Sequence, residues 1–206
     1  MDMELNDGKV TIEDGTGTLR LNGDATVFDD LRVVPGAFSF AGAADPSLID
    51  WQPGGTGATF KVYAFRKNDE VFASCQMPHS YKEGSDIYPH IHWTPHSRGT
   101  AEDGASVGWK VDYSIANIGD AFPASTTLDL SDTVSGADDK HEIISSTAIT
   151  GTGLKISHII MLRIYRSDTG TDDTWAGTTA DQSPVLLEFD IHFEIDTAGS
   201  RTELVK

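Results

Sequence analysis

Strict alternation of apolar and polar residues runs through two long segments of this sequence. In residues 107–115 the apolar members are Val107, Trp109, Val111, Tyr113 and Ile115. In residues 185–195 they are Val185, Leu187, Phe189, Ile191, Phe193 and Ile195. A period of two residues places successive side chains on opposite faces of a β-strand. Both segments are therefore predicted to be strands that turn one face towards a hydrophobic core.

Shorter runs with the same character fill most of the remaining chain, and no long helical periodicity interrupts them. The segment 42–57 is rich in Gly and Pro and is predicted to be a loop, and Lys67, Asn68 and Asp69 are predicted to form a hairpin turn. The predicted strands are Leu31–Phe40, 58–66, 70–77, 87–94, 107–116, 124–130, 141–149, 154–166 and 184–196. Eight to nine antiparallel strands favour an all-β fold, a jelly-roll β-sandwich with Greek-key connections.

The first 25 residues are predicted to form an N-terminal β-arm, and residues 26–206 a single jelly-roll domain. Two short alternating runs, 9–13 and 18–21, are bounded by glycines and stand apart from the longer strands. Such an arm is suited to packing on a neighbouring subunit. An extra hairpin on the same domain fits the pattern equally well.

Charge and cysteine content limit the kinds of binding partner and covalent cross-link that are expected. The chain has 32 acidic and 15 basic residues in 206, for a formal charge of −17, and no basic cluster. Direct binding to nucleic acid or to an anionic membrane is therefore not expected. The N-terminus is acidic and no apolar stretch could span a bilayer, which predicts synthesis in the cytoplasm. Cys75 is the only cysteine, so no intrachain disulfide can form, and its alternating context predicts a buried, unreactive thiol.

The candidate chemistry lies in the strand predicted over residues 87–94. Ile91 and Trp93 share the face predicted to enter the core, whereas His90 and His92 share the other face. Two imidazoles separated by one residue can hold a divalent metal, and His192 on the last strand could supply a third ligand. Three interpretations remain open: a structural divalent metal, a catalytic metal, or no metal, with the histidines bonded to carboxylates or to a neighbouring subunit.

Part of this stretch is similar to the first motif of metal-binding cupins, in which a glycine precedes a His-x-His pair by five residues. Gly84, His90 and His92 match that motif. The positions where cupins carry a glutamate ligand hold Pro95, His96 and Ser97 instead, and the second cupin motif is missing. The resemblance is partial. It implies a metalloenzyme only if all three histidines line the interior of the barrel.

Other catalytic patterns are missing from the sequence. It contains no Gly-x-Ser-x-Gly elbow and no His-Glu-x-x-His helix, and the chain is not expected to be an enzyme. Two groups of acidic loop residues could offer oxygen ligands to calcium but lack the ordered spacing of a known calcium loop. They are Asp168, Asp172 and Asp173, and Asp129, Asp132, Asp138 and Asp139.

Four strings of residues together resemble a group of tailed-bacteriophage virion proteins. They lie in Phe28–Val33, Met77–Trp93, Trp109–Gly119 and Glu188–Thr202, so the resemblance covers most of the chain beyond residue 25. It implies a non-enzymatic jelly-roll component of the virion at the head surface, neck or tail. It does not imply a metal or another cofactor.

The leading functional hypothesis is thus a virion structural protein, such as a capsid decoration, head-fibre or neck/tail component. It predicts a symmetric homo-oligomer, a trimer or a ring, that contacts other virion proteins. Two alternatives stand beside it. One is the cupin-like metal-binding enzyme with His90, His92 and His192 as ligands. The other is a carbohydrate-binding β-sandwich for host attachment, with an exposed Trp175 or Trp51 stacking on a sugar.

Overall fold

The chain folds as an all-β sandwich of jelly-roll character, which confirms the predicted fold class. A computed structural model describes residues 2–96, 104–134, 138–167, 169 and 173–206. The strands in the first half are β1 (Met3–Leu5), β2 (Val10–Ile12), β3 (Leu19–Leu21), β4 (Val27–Val33), β5 (Ser47–Trp51), β6 (Phe60–Ala64) and β7 (Glu70–Gln76). Those in the second half are β8 (Ile87–Thr94), β9 (Ser106–Ala116), β10 (Thr126–Thr133), β11 (Glu142–Ser145), β12 (Ile159–Arg166) and β13 (Val185–Ile195).

Two antiparallel sheets form the sandwich. The smaller sheet has the order β10-β9-β12-β7. The larger sheet has the order β11-β8-β13-β6-β5, and β4 also pairs with β13. The long strand β13 is therefore central: it pairs with β8 along one side and with β4 and β6 along the other.

The core lies between the sheets and is filled by the alternating apolar positions. On β8, Ile87, Ile91 and Trp93 are fully buried, as the sequence predicts. They meet Trp109 and Val111 of the smaller sheet in one hydrophobic cluster. Burial of large apolar side chains on this scale is the main stabilising term of the fold.

Several element boundaries were predicted incorrectly around residues 31–57. Strand β4 ends at Val33 because Pro35 begins a short 3-10 turn, so no strand continues to Phe40. The segment predicted as loop contains β5, whose Ile49 is buried against Ala64 and Val185. Tertiary packing forms a strand there despite the surrounding Gly and Pro.

The turn at residues 67–69 is not a hairpin turn. Strand β6 belongs to the larger sheet and β7 to the smaller one, so this connection crosses from one sheet to the other. Asn68 adopts φ 73° there, and the carboxylate of Asp69 accepts a hydrogen bond from the Arg66 backbone N–H at 2.8 Å. The Asp69 N–H also donates to the Arg66 carbonyl at 3.0 Å, which closes a β-turn, and such a turn can connect two sheets as well as two strands of a hairpin.

The alternation along β13 changes phase at a β-bulge between Leu186 and Glu188. Phe189, Ile191 and Phe193 enter the main core, as predicted. Leu186 enters the main core as well, whereas Val185 and Leu187 pack in a second cluster with Ile49. The inserted residue shifts the pattern by one position, which a strict period of two does not anticipate.

The N-terminal arm has three strands rather than the two predicted. Strands β1, β2 and β3 form a separate sheet in which β2 is central. The arm contacts the end of β13: the Leu21 N–H donates to the Asp196 carbonyl at 2.7 Å, and Arg20 bridges to Thr197. Among the described residues, no helix is long and apolar enough to cross a membrane.

Candidate functional site

Histidines gather on the face of the larger sheet that points away from the core. On β8, His90 and His92 alternate with buried Ile91 and Trp93, so both imidazoles lie on the outer face. Asp190 of β13 stands opposite His90, and His192 stands opposite Tyr88. The outer face of β8 and β13 therefore carries the candidate site.

Three of these side chains form a close cluster, which we call the His90–Asp190–His192 cluster. One potential ligand atom from each residue lies within 4.8 Å of those from the other two. The rings of His90 and His192 have centroids 4.8 Å apart, and His90 Nδ1 lies 3.1 Å from Asp190 Oδ1. Asp190 is only 5% exposed, although it lies on the outer face.

The third histidine predicted from the sequence, His92, occupies a different role. Its Nε2 lies 2.9 Å from Asp190 Oδ2 in a hydrogen bond, and its Nδ1 lies 2.8 Å from His141 Nε2. Both ring nitrogens are thus engaged. The structure brings His90 and His192 together with Asp190, and His92 forms a hydrogen bond with the other carboxylate oxygen of Asp190.

Burial sets the protonation of His90. It lowers the pKa of His90 because the charged imidazolium loses hydration, and this effect outweighs the attraction of Asp190. The neighbouring rings of His192 and His92 lower this pKa further. The neutral imidazole that results is the form that binds metals.

Charged residues surround the cluster. Asp30 of β4 stands opposite His192, with Oδ1 2.6 Å from His192 Nδ1. Arg32 stands opposite Asp190 but forms a bidentate ion pair with Glu188. In that pair Arg32 Nη2 donates to Glu188 Oε2 at 2.6 Å. That pairing lowers the pKa of Glu188 and directs the guanidinium towards Glu188 rather than Asp190.

The cupin-like arrangement required the histidines to line the interior of the barrel. The interior positions of β8 are taken by Ile87, Ile91 and Trp93, so the three histidines lie outside the sandwich. This geometry contradicts the cupin-like arrangement.

The tryptophan proposed to bind sugar is not exposed. Trp175 is 1% exposed and donates its indole N–H to the Gln182 carbonyl at 2.7 Å, so it anchors its own loop. Trp51 is partly buried and donates to Asp139 at 2.6 Å. Trp175 therefore offers no stacking surface, and Trp51 is only partly exposed.

The structure also bears on two other sequence predictions, the acidic loop residues and Cys75. Among the acidic loop residues, Asp173 is buried and paired with Arg166, whereas Asp168 and Asp172 lie outside the described residues. Burial raises the pKa of Cys75 to about 12, which is consistent with the predicted unreactive thiol.

Sequence reasoning missed Asp190, Asp30 and His141. The signal for Asp190 was present, because it lies two residues before His192 and therefore on the same face. The missing information was the register that sets Asp190 opposite His90 and Asp30 opposite His192.

Comparison with known proteins yields structural likenesses alone. No protein-family model matches the chain, and no curated protein does so either. A cycloisomaltooligosaccharide glucanotransferase of Paenibacillus sp. is similar over 79% of this chain at 13% identity and a TM-score of 0.40, but the chain spans only 18% of that enzyme. The CBM22-2 xylan-binding domain of Xyn10C from Paenibacillus barcinonensis is 16% identical, with coverage of 80% of this chain and 92% of that domain and a TM-score of 0.36.

A phage protein is also among the likenesses. The stem and receptor-binding domain of spike protein P1 from bacteriophage PM2 is 11% identical, with coverage of 84% of this chain and 98% of that domain and a TM-score of 0.27. All three scores lie below 0.5, so no function is transferred from these proteins. The chain is an all-β sandwich by its own strands and sheets.

Proposed function

We propose that this chain is a non-enzymatic structural protein of a tailed-bacteriophage virion, a capsid decoration, head-fibre or neck/tail component, that assembles as a symmetric homo-oligomer. The virion assignment is supported by the four sequence strings that resemble such proteins. The assembly is supported by one observation above all, the apolar face of the N-terminal arm.

The arm presents two rows of apolar side chains on one face. Register places Met3 opposite Ile12 and Ile12 opposite Leu19 in the first row. The second row is Leu5, Val10 and Leu21. Directly paired residues of antiparallel strands point to the same side of a sheet, and so do residues two apart. All six side chains therefore share one face, and Glu4, Thr11 and Arg20 occupy the other.

Much of that apolar face is open. Met3 is 57% exposed and Leu5 50%, and Ile12 and Leu19 are exposed as well. Each arm strand has only three residues, and so small a sheet needs a surface to pack against. A contiguous exposed apolar face marks an interaction surface.

A second copy of the chain offers a suitable surface. Near the free edge of the larger sheet at β5, Leu48 stands opposite Tyr63, whose ring lies 5.2 Å from that of Phe40. Leu48 and Phe40 are both exposed. The apolar face of the arm on one copy would pack on the Leu48 and Phe40 surface of the next copy, which is a head-to-tail contact. Such contacts close into a trimer or a ring when the rotation between neighbouring copies is an integral fraction of a full turn.

Sedimentation of the full chain tests the assembly. Wild-type protein is expected to sediment as one closed oligomer, and Ile12→Lys/Leu19→Lys is expected to sediment as a monomer with an unchanged β-type circular dichroism spectrum. The matched control is Thr11→Lys, which adds a lysine to the polar face of the same sheet and should leave the oligomer intact. A wild-type monomer at every concentration would contradict the proposal.

The position in the particle needs a separate measurement. Antibody raised against the chain is expected to label purified phage particles at the head surface, neck or tail in electron micrographs. Particles whose proteins, identified by mass spectrometry, lack this chain would refute the virion assignment even if the oligomer forms.

A further inference from the structure

Unsatisfied polar atoms converge in the His90–Asp190–His192 cluster. Among the described residues, five buried side-chain nitrogen or oxygen atoms make no hydrogen bond, and three of these are His90 Nδ1, Asp190 Oδ1 and His192 Nδ1. Although His90 Nδ1 lies 3.1 Å from Asp190 Oδ1, and His192 Nδ1 lies 2.6 Å from Asp30 Oδ1, neither pair has the orientation of a hydrogen bond. Leaving a buried polar atom unpaired is destabilising, so three in one cluster require a common explanation.

We propose that His90, Asp190 and His192 bind a divalent transition-metal ion, with zinc the best-suited ion, as a structural link between β8 and β13. One ion would give the three side chains a common partner. This assignment stands on the side chains of one subunit and does not depend on the proposed place of the protein in a virion.

The donor set selects the class of ion. Two imidazole nitrogens and one carboxylate oxygen are typical ligands of zinc and of neighbouring transition metals. Magnesium and calcium prefer shells made of oxygen atoms, which this cluster does not provide. The chemistry of the three side chains therefore favours zinc, cobalt, nickel or copper over the alkaline-earth ions.

The distances require little rearrangement. Zinc bonds of about 2.0–2.2 Å in a tetrahedral shell place ligand atoms about 3.3–3.6 Å apart. The separation of 3.1 Å between His90 Nδ1 and Asp190 Oδ1 is already close to that value. All three ligand atoms lie within 4.8 Å of one another, so the wider pairs would have to approach more closely when an ion binds.

Neighbouring side chains hold the ligands in place. Asp190 Oδ2 accepts a hydrogen bond from His92 Nε2, which leaves Oδ1 to face the other two residues. Asp30, beside His192, adds negative charge at the rim of the cluster. Partners of this kind orient ligands and strengthen metal binding. Three protein ligands leave one position of a tetrahedral shell open.

Calorimetry on full-length protein without a histidine tag tests the site. After treatment with EDTA and dialysis, wild-type protein is expected to bind one equivalent of Zn²⁺. Binding of Co²⁺ should produce the visible absorption bands of a site with nitrogen ligands, and Zn²⁺ should raise the melting temperature. A wild-type protein that gives no saturable heat with Zn²⁺ and no Co²⁺ spectrum would overturn the proposal.

A graded series of variants tests the ligand set. His92→Gln removes a supporting residue and should weaken zinc binding about 10- to 100-fold. His192→Gln and the nearly isosteric Asp190→Asn remove ligands and should weaken it further. His79→Gln is the matched control, because His79 contacts Ser157 outside the cluster and its loss should leave affinity unchanged.

Two results would contradict this ligand set. One is an affinity of Asp190→Asn equal to that of the wild type, with circular dichroism showing both proteins folded. The other is a loss in His92→Gln as large as that in His192→Gln, since His92 would then be a ligand.

Discussion

At the scale of single residues, the buried side chain of His158 makes the stability of the fold depend on pH. Its side chain is fully buried beside Tyr81, with the two ring centroids 5.6 Å apart. Its Nδ1 lies 2.6 Å from the Lys155 carbonyl, to which it donates, and its Nε2 makes no hydrogen bond within the described part of the chain. Burial lowers the pKa of His158 because a second proton would sit on a nitrogen without an acceptor.

Acidification is therefore expected to destabilise the fold through His158. Below the ordinary histidine pKa of about 6.5 the unfolded chain takes up a proton that the folded chain refuses, so stability falls as pH falls through that value. One such group costs at most about 1.4 kcal/mol between pH 7.5 and 5.5. In His158→Asn the amide can still donate to the Lys155 carbonyl but does not titrate. The free energy of unfolding of this variant should therefore fall less on acidification than that of the wild type.

Urea unfolding of both proteins at the two pH values measures this difference. His90, whose pKa is also lowered, contributes a slope of the same sign, but it is present in both proteins and cancels. Equal pH dependence in wild type and His158→Asn would show that His158 does not carry the effect.

At the scale of strands and turns, periodicity predicted what depends on local sequence. The alternation of β8 and β9 placed Trp93 and Trp109 in the core, and it set His90 and His92 on one outward face. It could not predict β5, which exists because Ile49 packs against residues far along the chain. Nor could it predict the pairing of Asp190 with His90, because the bulge and the strand order set that register.

Gly151 joins two connections that are far apart in sequence. It follows β11 and packs against the segment between β7 and β8, where its N–H donates to Asp86 Oδ1 at 2.8 Å. A Cβ atom at this position would lie 1.7 Å from the Ser85 carbonyl oxygen and 2.8 Å from the Tyr81 hydroxyl. Backbone atoms cannot move aside as a flexible side chain can.

Gly151→Ala is thus expected to lower the free energy of unfolding by about 1–3 kcal/mol or more, as overpacking does elsewhere. Gly36→Ala is the control, because a Cβ there meets open space and the backbone φ is not positive. Its effect should stay within about 0.5 kcal/mol. Urea midpoints of the two variants that differ little would contradict the steric argument.

At the scale of the whole molecule, one buried arginine ties together both sheets and a loop. Arg166 ends β12 in the smaller sheet, and its Nη1 donates to the carbonyl of Phe65, which follows β6 in the larger sheet, at 3.1 Å. Its Nε and Nη2 donate to the two carboxylate oxygens of Asp173 at 2.7 and 3.0 Å. Nη2 also reaches the carbonyl of Trp175, whose ring contacts Trp93 in the core.

Loss of this arginine is expected to destabilise the entire sandwich. Arg166→Met fills similar volume but leaves the carboxylate of Asp173 buried without its bidentate partner, which costs about 3–5 kcal/mol. The control is Arg163→Met on the same strand, because the Arg163 side chain is 40% exposed and its pairs with Glu70 and Asp112 are only partly buried. Its loss should therefore cost less than the loss of Arg166.

Urea unfolding separates the two cases, and the double variant Arg166→Met/Asp173→Asn isolates the cause. Lys67 Nζ, 3.5 Å from Asp173 Oδ1, remains as a partly exposed partner in Arg166→Met. Neutralising Asp173 removes a buried charge that has lost its bidentate partner, so the double variant should recover part of the stability lost in Arg166→Met. If the double variant is no more stable than Arg166→Met, the cost lies in the lost contacts of Arg166 with Phe65 and Trp175 rather than in the buried carboxylate of Asp173. Since domains of this kind are stable by only about 5–15 kcal/mol, either outcome makes Arg166 a major determinant of how firmly the two sheets hold together.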